Sequence, residues 1–332
     1  MPQPRGLAPF LTACLGAGAL TALYAHFVEP VRVQLDRFTL AVDLPGLPAE
    51  GLTILHLSDL HCRDHGSVQR VKLERLQGLL ANEHYDLVAL TGDLIHNMAG
   101  LPTALALVQT LHPRLGAFSC LGNRDYWESG FRALYRQVVA SPEQQGRPAA
   151  LAVLRGFYQF VLHVVRNQRA TLHVKSNDIS ALHASLSAYG VQPLVNQAAR
   201  VRSDGMELWI AGVDDLTQGE PDLDAALAQV PDGAGLILLT HNPDLWLHPL
   251  ARRAHLILAG HTHGGQIRFP LVGAPYTQGT HLTHSRPAGW FTQGRSHMFV
   301  SRGLGESFPF RLAAPPQVAL IRLVPAGQEV HV

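Results

Sequence analysis

Cysteine is scarce, net charge is nearly absent, and no internal repeat or low-complexity tract breaks the chain. The 332 residues hold three cysteines, Cys14, Cys62 and Cys120. Their odd number and spacing give no zinc-knuckle pattern and suit a reducing compartment. A formal net charge of +1 leaves no strong overall field to draw nucleic acid or an acidic partner, and no nucleic-acid partner is expected. Residues 7–28 lack Asp, Glu, Lys and Arg altogether.

What is present is apolar residues and histidine. A hydrophobic content of 47% supports a large buried core, and the length holds one large domain or two smaller ones. There are 19 histidines, enough for several to be ligands.

The uncharged stretch 7–28 meets the requirement of about 20 mostly apolar residues for a spanning helix, with Tyr24 and His26 as interface residues near its end. The expectation is a retained single-pass anchor, residues 1–28, in the inner membrane, with the catalytic domain, residues 29–332, on the cytoplasmic side. A cleaved signal peptide is the rival reading. Leu11-Thr12-Ala13-Cys14 also resembles a lipoprotein cleavage box, although the apolar run continues past Cys14.

After Pro30 the alternation Val31-Arg32-Val33-Gln34-Leu35 predicts an opening strand with one wet face. Five apolar runs follow, each ending in a polar cluster. Leu52 to Leu57 ends in Ser58-Asp59-Leu60-His61, and Leu87 to Thr91 ends in Gly92-Asp93. Ala117 to Leu121 ends in Gly122-Asn123-Arg124-Asp125, and Leu236 to Thr240 ends in His241-Asn242-Pro243. Leu256 to Ala259 ends in Gly260-His261-Thr262-His263. In an open α/β sheet, sites form beyond the carboxyl ends of strands, so clusters distant in sequence become neighbours. An extended His-x-His sends its rings to opposite sides, but a glycine-flanked turn can aim both at one point.

Helical patterns run from Val68 to Ala81 and from Thr103 to Leu111. Residues 141–190 interrupt this rhythm with a helical insertion. Val153, Leu154, Phe157, Phe160, Val161, Val164 and Val165 recur there at helical spacing among basic residues. An ordinary helix packed on the core and a lid or membrane-surface helix both fit. Residues 208–213 read as a further strand, followed by Asp214-Asp215 at the site's rim or in a turn. Residues 268–297 read as a long loop near the site, with His281, His284 and His297 as groove-lining or merely exposed histidines. Met298 to Ser301 and Val318 to Leu323 return to strand, with a tight Gly303-Leu304-Gly305 loop between them.

Asp59, His61, Asp93, Asn123, His241, His261 and His263 offer two carboxylates, one amide oxygen and four imidazoles. Each of two ions could take about four donors if one carboxylate bridges, and a pair ~3.5–4 Å apart clamps phosphoryl oxygens. Mixed nitrogen and oxygen donors suit manganese first, or iron, zinc or cobalt, over magnesium.

In this order and context the clusters resemble the calcineurin-like metallophosphoesterase superfamily over about residues 50–324. Gly260-His261-Thr262-His263-Gly264-Gly265-Gln266 and Ser301-Arg302-Gly303-Leu304-Gly305 are similar to its small, often membrane-associated bacterial branch. The resemblance implies a four-layer α/β/β/α sandwich of two mixed sheets and a metal-dependent hydrolase. It also implies a ligand split. One ion takes Asp59, His61, Asp93 and His263; the other takes Asp93, Asn123, His241 and His261, with Asp93 bridging. Asn123, Arg124 and His261 are then the catalytic candidates.

Arg124 stands where the superfamily usually has histidine. An arginine cannot usefully donate a proton near neutral pH, but it binds phosphate through a two-pronged contact. A leaving group that departs as an anion needs no acid, and Asn-Arg-Asp at this place is similar to the UDP-2,3-diacylglucosamine diphosphatases of lipid A synthesis. The resemblance implies a lipid-linked nucleotide diphosphate or other phosphate-ester substrate at a membrane. A broad phosphodiesterase acting on nucleotides or phospholipids and a metal-stabilised, non-catalytic scaffold are the alternatives. Asp125 is expected to orient a ligand histidine, and Cys62 to fill space.

Overall fold

The structure is a computed structural model that describes residues 16–64, 67–129, 173–203 and 205–327. Among them, two six-stranded mixed sheets carry the core. The first is ordered β1 (Gln34–Val42), β14 (Gln317–Pro325), β2 (Leu52–Leu57), β3 (Leu87–Thr91), β4 (Gly116–Cys120) and β7 (Val191–Pro193). Its neighbours run parallel except at the β14–β2 pair. The second is ordered β12 (Gly289–Gln293), β13 (Ser296–Val300), β11 (Leu256–Ala259), β10 (Leu236–Leu239), β9 (Met206–Gly212) and β8 (Gln197–Ser203). Its four central strands are parallel and both edges are antiparallel.

The strands read as continuous apolar runs because both faces are buried. In β2 and β3, Leu52, Ile54, Leu87 and Ala89 meet Ile237, Leu239, Leu256 and Leu258 of the other sheet in one apolar cluster. The alternate residues Leu55, Leu57, Val88 and Leu90 face outward onto Leu76, Leu107, Leu182 and Leu186, which come from helices Ser67–Leu80, Leu101–Val108 and Ile179–Ala188. On the far side, Leu236, Leu238 and Ile257 pack on helix Leu223–Leu227. This gives the helix–sheet–sheet–helix layering. Each such buried leucine or isoleucine contributes roughly 1.5–3 kcal/mol.

The opening strand is displaced. Glu29–Val31 form a 3-10 turn with Pro30 in its first positions, and extended pairing begins only at Gln34. The ring of Pro30 fixes φ near the helical value, which overrides the alternation read from Val31 onward. The 268–297 stretch is not all loop, since its end forms β12, a short hairpin partner of β13.

Residues 16–23 are α-helical and pass into a π-helical segment, Tyr24–Val28. Among the described residues no helix is long and apolar enough to cross a membrane. The start of the apolar run, residues 7–15, lies outside the described residues. The foot of this segment is built into the domain. Arg311 N–H donates to Ala25 O at 2.8 Å, Ala314 N–H donates to the Glu29 carboxylate at 2.9 Å, and the His26 ring lies 5.1 Å from Phe310. Residues 25–29 therefore pack against the 310–314 stretch. The expected apolar face at 153–165 also lies outside the described residues; the insertion is described only from His173 onward, as β6 (His173–Ser176) paired with β5 (Trp127–Ser129) and the helix Ile179–Ala188.

Candidate metal centre

The polar clusters all sit where β2, β3, β4, β10 and β11 end, at one edge of the paired sheets. The chain turns there through an uncommon conformation. Asp59, His61, Asp93, His261 and His263 all have positive φ, between 45° and 71°. Non-glycine residues occupy this left-handed region at a cost and gather at functional sites. The turn is what lets residues one apart, His261 and His263, avoid the opposite-facing geometry of a strand. The loops also approach closely. A Cβ on Gly260 would sit 1.8 Å from Ser58 Oγ and 2.4 Å from Asp59 Oδ2, and one on Gly122 would sit 2.3 Å from Asp93 Oδ1.

All seven residues singled out from the sequence meet at this edge. Donor atoms of Asp59, His61 and His263 lie within 4.8 Å of one another, as do those of Asp59, Asp93 and His241. Asp93 stands between two imidazoles: its Oδ2 is 3.5 Å from His61 Nε2, and its Oδ1 is 3.5 Å from His241 Nε2. His61 and His263 stack with Nε2 atoms 3.0 Å apart. The His261 ring lies 4.9 Å from that of His241. Asn123 follows β4, and the next backbone N–H, that of Arg124, donates to Asp93 Oδ1 at 2.7 Å.

The partners behind the rings set their tautomers. His241 Nδ1 faces Thr91 O at 2.9 Å and His263 Nδ1 faces Gly305 O at 3.1 Å. A carbonyl only accepts, so each Nδ1 carries the proton and each Nε2 turns a lone pair inward. His261 is reversed, with Nε2 facing Gln278 O at 3.2 Å. Asp59 is half satisfied: its Oδ2 accepts from Ser58 Oγ and His261 N, while its Oδ1 has no hydrogen-bond partner. Asn123 Oδ1 and His241 Nε2 are likewise buried without one. A buried polar atom without a partner costs about 1–3 kcal/mol, and three such donors at one edge are what a cation would satisfy. The donor set thus fits metal ions, with room for more than one.

The electrostatics agree. Burial pushes Asp59 up to about 6. Burial holds His61 and His263 well below the ordinary imidazole value and His261 down to about 3. Burial alone would also lower His241, but the adjacent Asp93 outweighs it and raises the ring well above its ordinary value. Burial would raise Asp93, yet His241 and then His61 hold it well below the carboxylate range. His241 and Asp93 thus favour each other's charged form, and a cation between them would take over that role.

Arg124 is half-buried, and its positive charge is felt at Asp93, His61 and His261. Asp125 differs from expectation. Its carboxylate accepts from the backbone N–H groups of Gly122 and Ile95, so it ties two ligand-bearing loops together instead of orienting a histidine. Cys62 is buried, with its thiol pushed up to about 12 by burial, as a space-filler would be. Asp214 and Asp215 serve turns, accepting from Glu220 N, Thr217 N and Gln218 N, and Asp214 also takes the Tyr126 hydroxyl. His281 pairs with Asp244, His284 with Ala274 O and His297 with Thr292, partners that lie outside the ligand cluster.

One residue escaped the sequence reading. Arg311 is fully buried and donates to the carbonyls of Arg302, Gly303, Gly305 and Ala314 and to Glu306. It pins the Gly303-Leu304-Gly305 loop, whose Leu304 and Gly305 N–H groups donate to Ser58 O and Asp59 O. The only hint in the sequence was that tight loop. Beside the cluster, a cavity of about 200 Å³ extends from His61 past Arg63, Lys72 and Glu306 to Phe308 and His26.

The sequence is similar to those of known proteins. The chain is 28% identical over 321 residues to the uncharacterized metallophosphoesterase YkuE of Bacillus subtilis, covering 93% of each chain. It is 27% identical over 321 residues to UDP-2,3-diacylglucosamine pyrophosphatase LpxG of Chlamydia muridarum, covering 94% of this chain and 95% of that one. It is 33% identical over 141 residues to phosphodiesterase YaeI of Escherichia coli, covering 42% of this chain and 50% of that one. Residues 52–265, which hold every donor named above from Asp59 to His263, match the calcineurin-like phosphoesterase family. A metal-dependent phosphoester hydrolase is what such a donor set at five strand ends builds, and the chain belongs to the calcineurin-like phosphoesterase family.

Proposed function

We propose that the chain is a membrane-associated dimetal hydrolase that cleaves the diphosphate of a UDP-linked acylated sugar, giving UMP and a lipid phosphate. The observation that carries this reading is Arg124, a guanidinium whose charge reaches Asp93, His61 and His261 where a proton-donating histidine is usual. The LpxG pyrophosphatase, matched over nearly the whole chain, supports it. So does the cavity beside His61, whose walls include Leu60, Val68, Phe308 and Pro309 and which has room for an apolar part of a substrate.

One ion would be held by Asp59, His61, Asp93 and His263, the other by Asp93, Asn123, His241 and His261, with Asp93 shared. Bound there, a pair of divalent cations, manganese foremost, would neutralise phosphoryl charge and activate water. Arg124 binds a phosphoryl oxygen as a fork and gives up no proton. UMP departs as an anion and needs none. Asn123 and His261 orient the phosphoryl group, and Gln278 O keeps His261 in one tautomer. The apolar run 7–28 retains the chain at the inner membrane, with the catalytic domain on the cytoplasmic side.

Purified full-length protein with manganese tests this against UDP-2,3-diacylglucosamine, bis-p-nitrophenyl phosphate and p-nitrophenyl phosphate. The lipid-linked diphosphate should give the highest kcat/KM. Equal or faster turnover of the simple diester would favour a broad phosphodiesterase, the reading that the local likeness to YaeI supports. No turnover of any of the three would sink the hydrolase reading of this site.

A further inference from the structure

Among the described residues, seven of the ten exposed large apolar side chains fall on two elements, the others being Leu79, Tyr189 and Leu247. Leu20, Leu23, Phe27 and Val28 lie on the N-terminal helical segment, and Phe269, Leu271 and Val272 lie on one hairpin. The two elements flank the same short stretch, Phe310-Arg311-Leu312. On one side Arg311 N–H donates to Ala25 O and the His26 ring meets Phe310. On the other, Ile267 pairs with Leu312, and Arg268 N–H donates to Leu312 O at 2.8 Å.

The hairpin tip is itself unusual. Phe269 and Gly273 form a β-bridge, and Val272 N–H donates to Pro270 O at 2.8 Å, closing a three-residue turn around Leu271. Leu271 has φ +66° and is fully exposed. A turn of this hand around a leucine is strained, and an exposed leucine gains nothing from it in water. Strain that holds an apolar side chain outward indicates an apolar medium outside.

We propose that the Phe269–Val272 hairpin is a second membrane contact, inserting Leu271 and Val272 into the bilayer interface beside the N-terminal segment. The occupant is a lipid surface, because the apolar run 7–28 continues from the neighbouring helical segment to the uncharged residues before it. A segment entering a membrane there brings the hairpin to the same surface, with Arg268 at headgroup level. The cavity beside His61 is walled by His26, Pro30 and Phe308 of this same face, so the hairpin would set the catalytic mouth toward the lipid. The inference rests on the membrane association proposed above.

The test uses the full chain with Cys14→Ser, because Cys62 and Cys120 are buried. An environment-sensitive fluorophore is attached at Leu271→Cys or, separately, at Leu20→Cys. Each protein is reconstituted in vesicles of phosphatidylethanolamine and phosphatidylglycerol that contain nitroxide lipids. Both probes should shift to the blue and be quenched, with Leu271 at the shallower depth. Quenching at Leu20 with none at Leu271 would overturn the hairpin contact and leave the anchor standing. No quenching at either would overturn both. A blue shift at Leu271 that needs no lipid and grows with protein concentration would overturn it in favour of contact between copies. As a second measure, Leu271→Asp with Val272→Asp should slow turnover of a lipid-linked diphosphate in vesicles several-fold and leave a soluble diester untouched.

Discussion

Replacing Arg311 by methionine should loosen the candidate centre without touching a single ligand. The side chain keeps most of its length and loses its charge. The carbonyls of Arg302 and Ala314 lose their donor, those of Gly303 and Gly305 keep Gln317 N–H and His263 Nδ1–H, and Glu306 keeps the Lys72 ammonium on that side. At about 1 kcal/mol for each of these two unsatisfied carbonyls the loss is about 2 kcal/mol. Breaking the pair with Glu306 adds to this, since removal of one member of a buried ionic network costs about 3–5 kcal/mol in all. Such a loss corresponds to a drop in Tm of roughly 10 °C. The metal effect is more specific. Gly305 O is held by Arg311 at 2.5 Å and accepts the Nδ1 proton of His263 at 3.1 Å. Disturbing a partner behind a ligand histidine weakens metal binding by about 10–100-fold. Calorimetric titration of the metal-stripped chain with manganese, beside a thermal melt, reads both quantities. Arg311→Lys should recover part of each, since an ammonium reaches fewer carbonyls than a guanidinium. An Arg311→Met protein that melts and binds manganese like the parent would refute the reasoning.

Asp93→Ala should lose both ions, because Asp93 lies 3.5 Å from both His61 and His241; elemental analysis that still finds two metals per chain would reject the shared role. Stability of the metal-stripped chain should rise with pH between about 4 and 7, read as Tm. Burial holds His56 and His261 near 3, and His61 and His263 well down, so the unfolded chain binds more protons in that window. Asp59 and Asp125, raised to about 6 and about 7, Asp215, also raised, and His241 near the top of the window act in the opposite sense, but the lowered histidines, which include His183, His255 and His297, outnumber them, so a flat or falling curve contradicts the balance. Removing residues 1–28 should lower the melting temperature by opening the joint of Ala25 and His26 with Arg311 and Phe310, and a melt identical to that of the full chain would show that the joint contributes nothing.

The central strands were legible because burial on both faces leaves an unbroken apolar signature. Leu52–Leu57, Leu87–Thr91 and Leu256–Ala259 stand where the sequence placed them. The edge strands Gln197–Ser203 and Gly289–Gln293 were not read, since one face is wet and their residues mix polar and apolar types. The opening strand was misplaced by three residues because Pro30 imposes a turn that alternation does not encode. At the candidate centre, residue types and order pointed to the donors, but the aim of each side chain was invisible: it depends on backbone torsions. Arg311 could not be found from the sequence, because its partners are main-chain carbonyls, which every residue possesses.

The left-handed turns at Asp59, His61, Asp93, His261 and His263 set fold and chemistry in competition. Each costs about 1–2 kcal/mol that a glycine would avoid. Glycine at any of the five would relieve this backbone cost while removing a donor. Selection for robustness alone would erode these positions toward glycine. With carboxylates and imidazoles there instead, bound cations would return, as folding free energy, what the bare loops give up. A relative that has abandoned hydrolysis should thus be recognised by glycines in these turns and by a melting temperature that no longer responds to chelators.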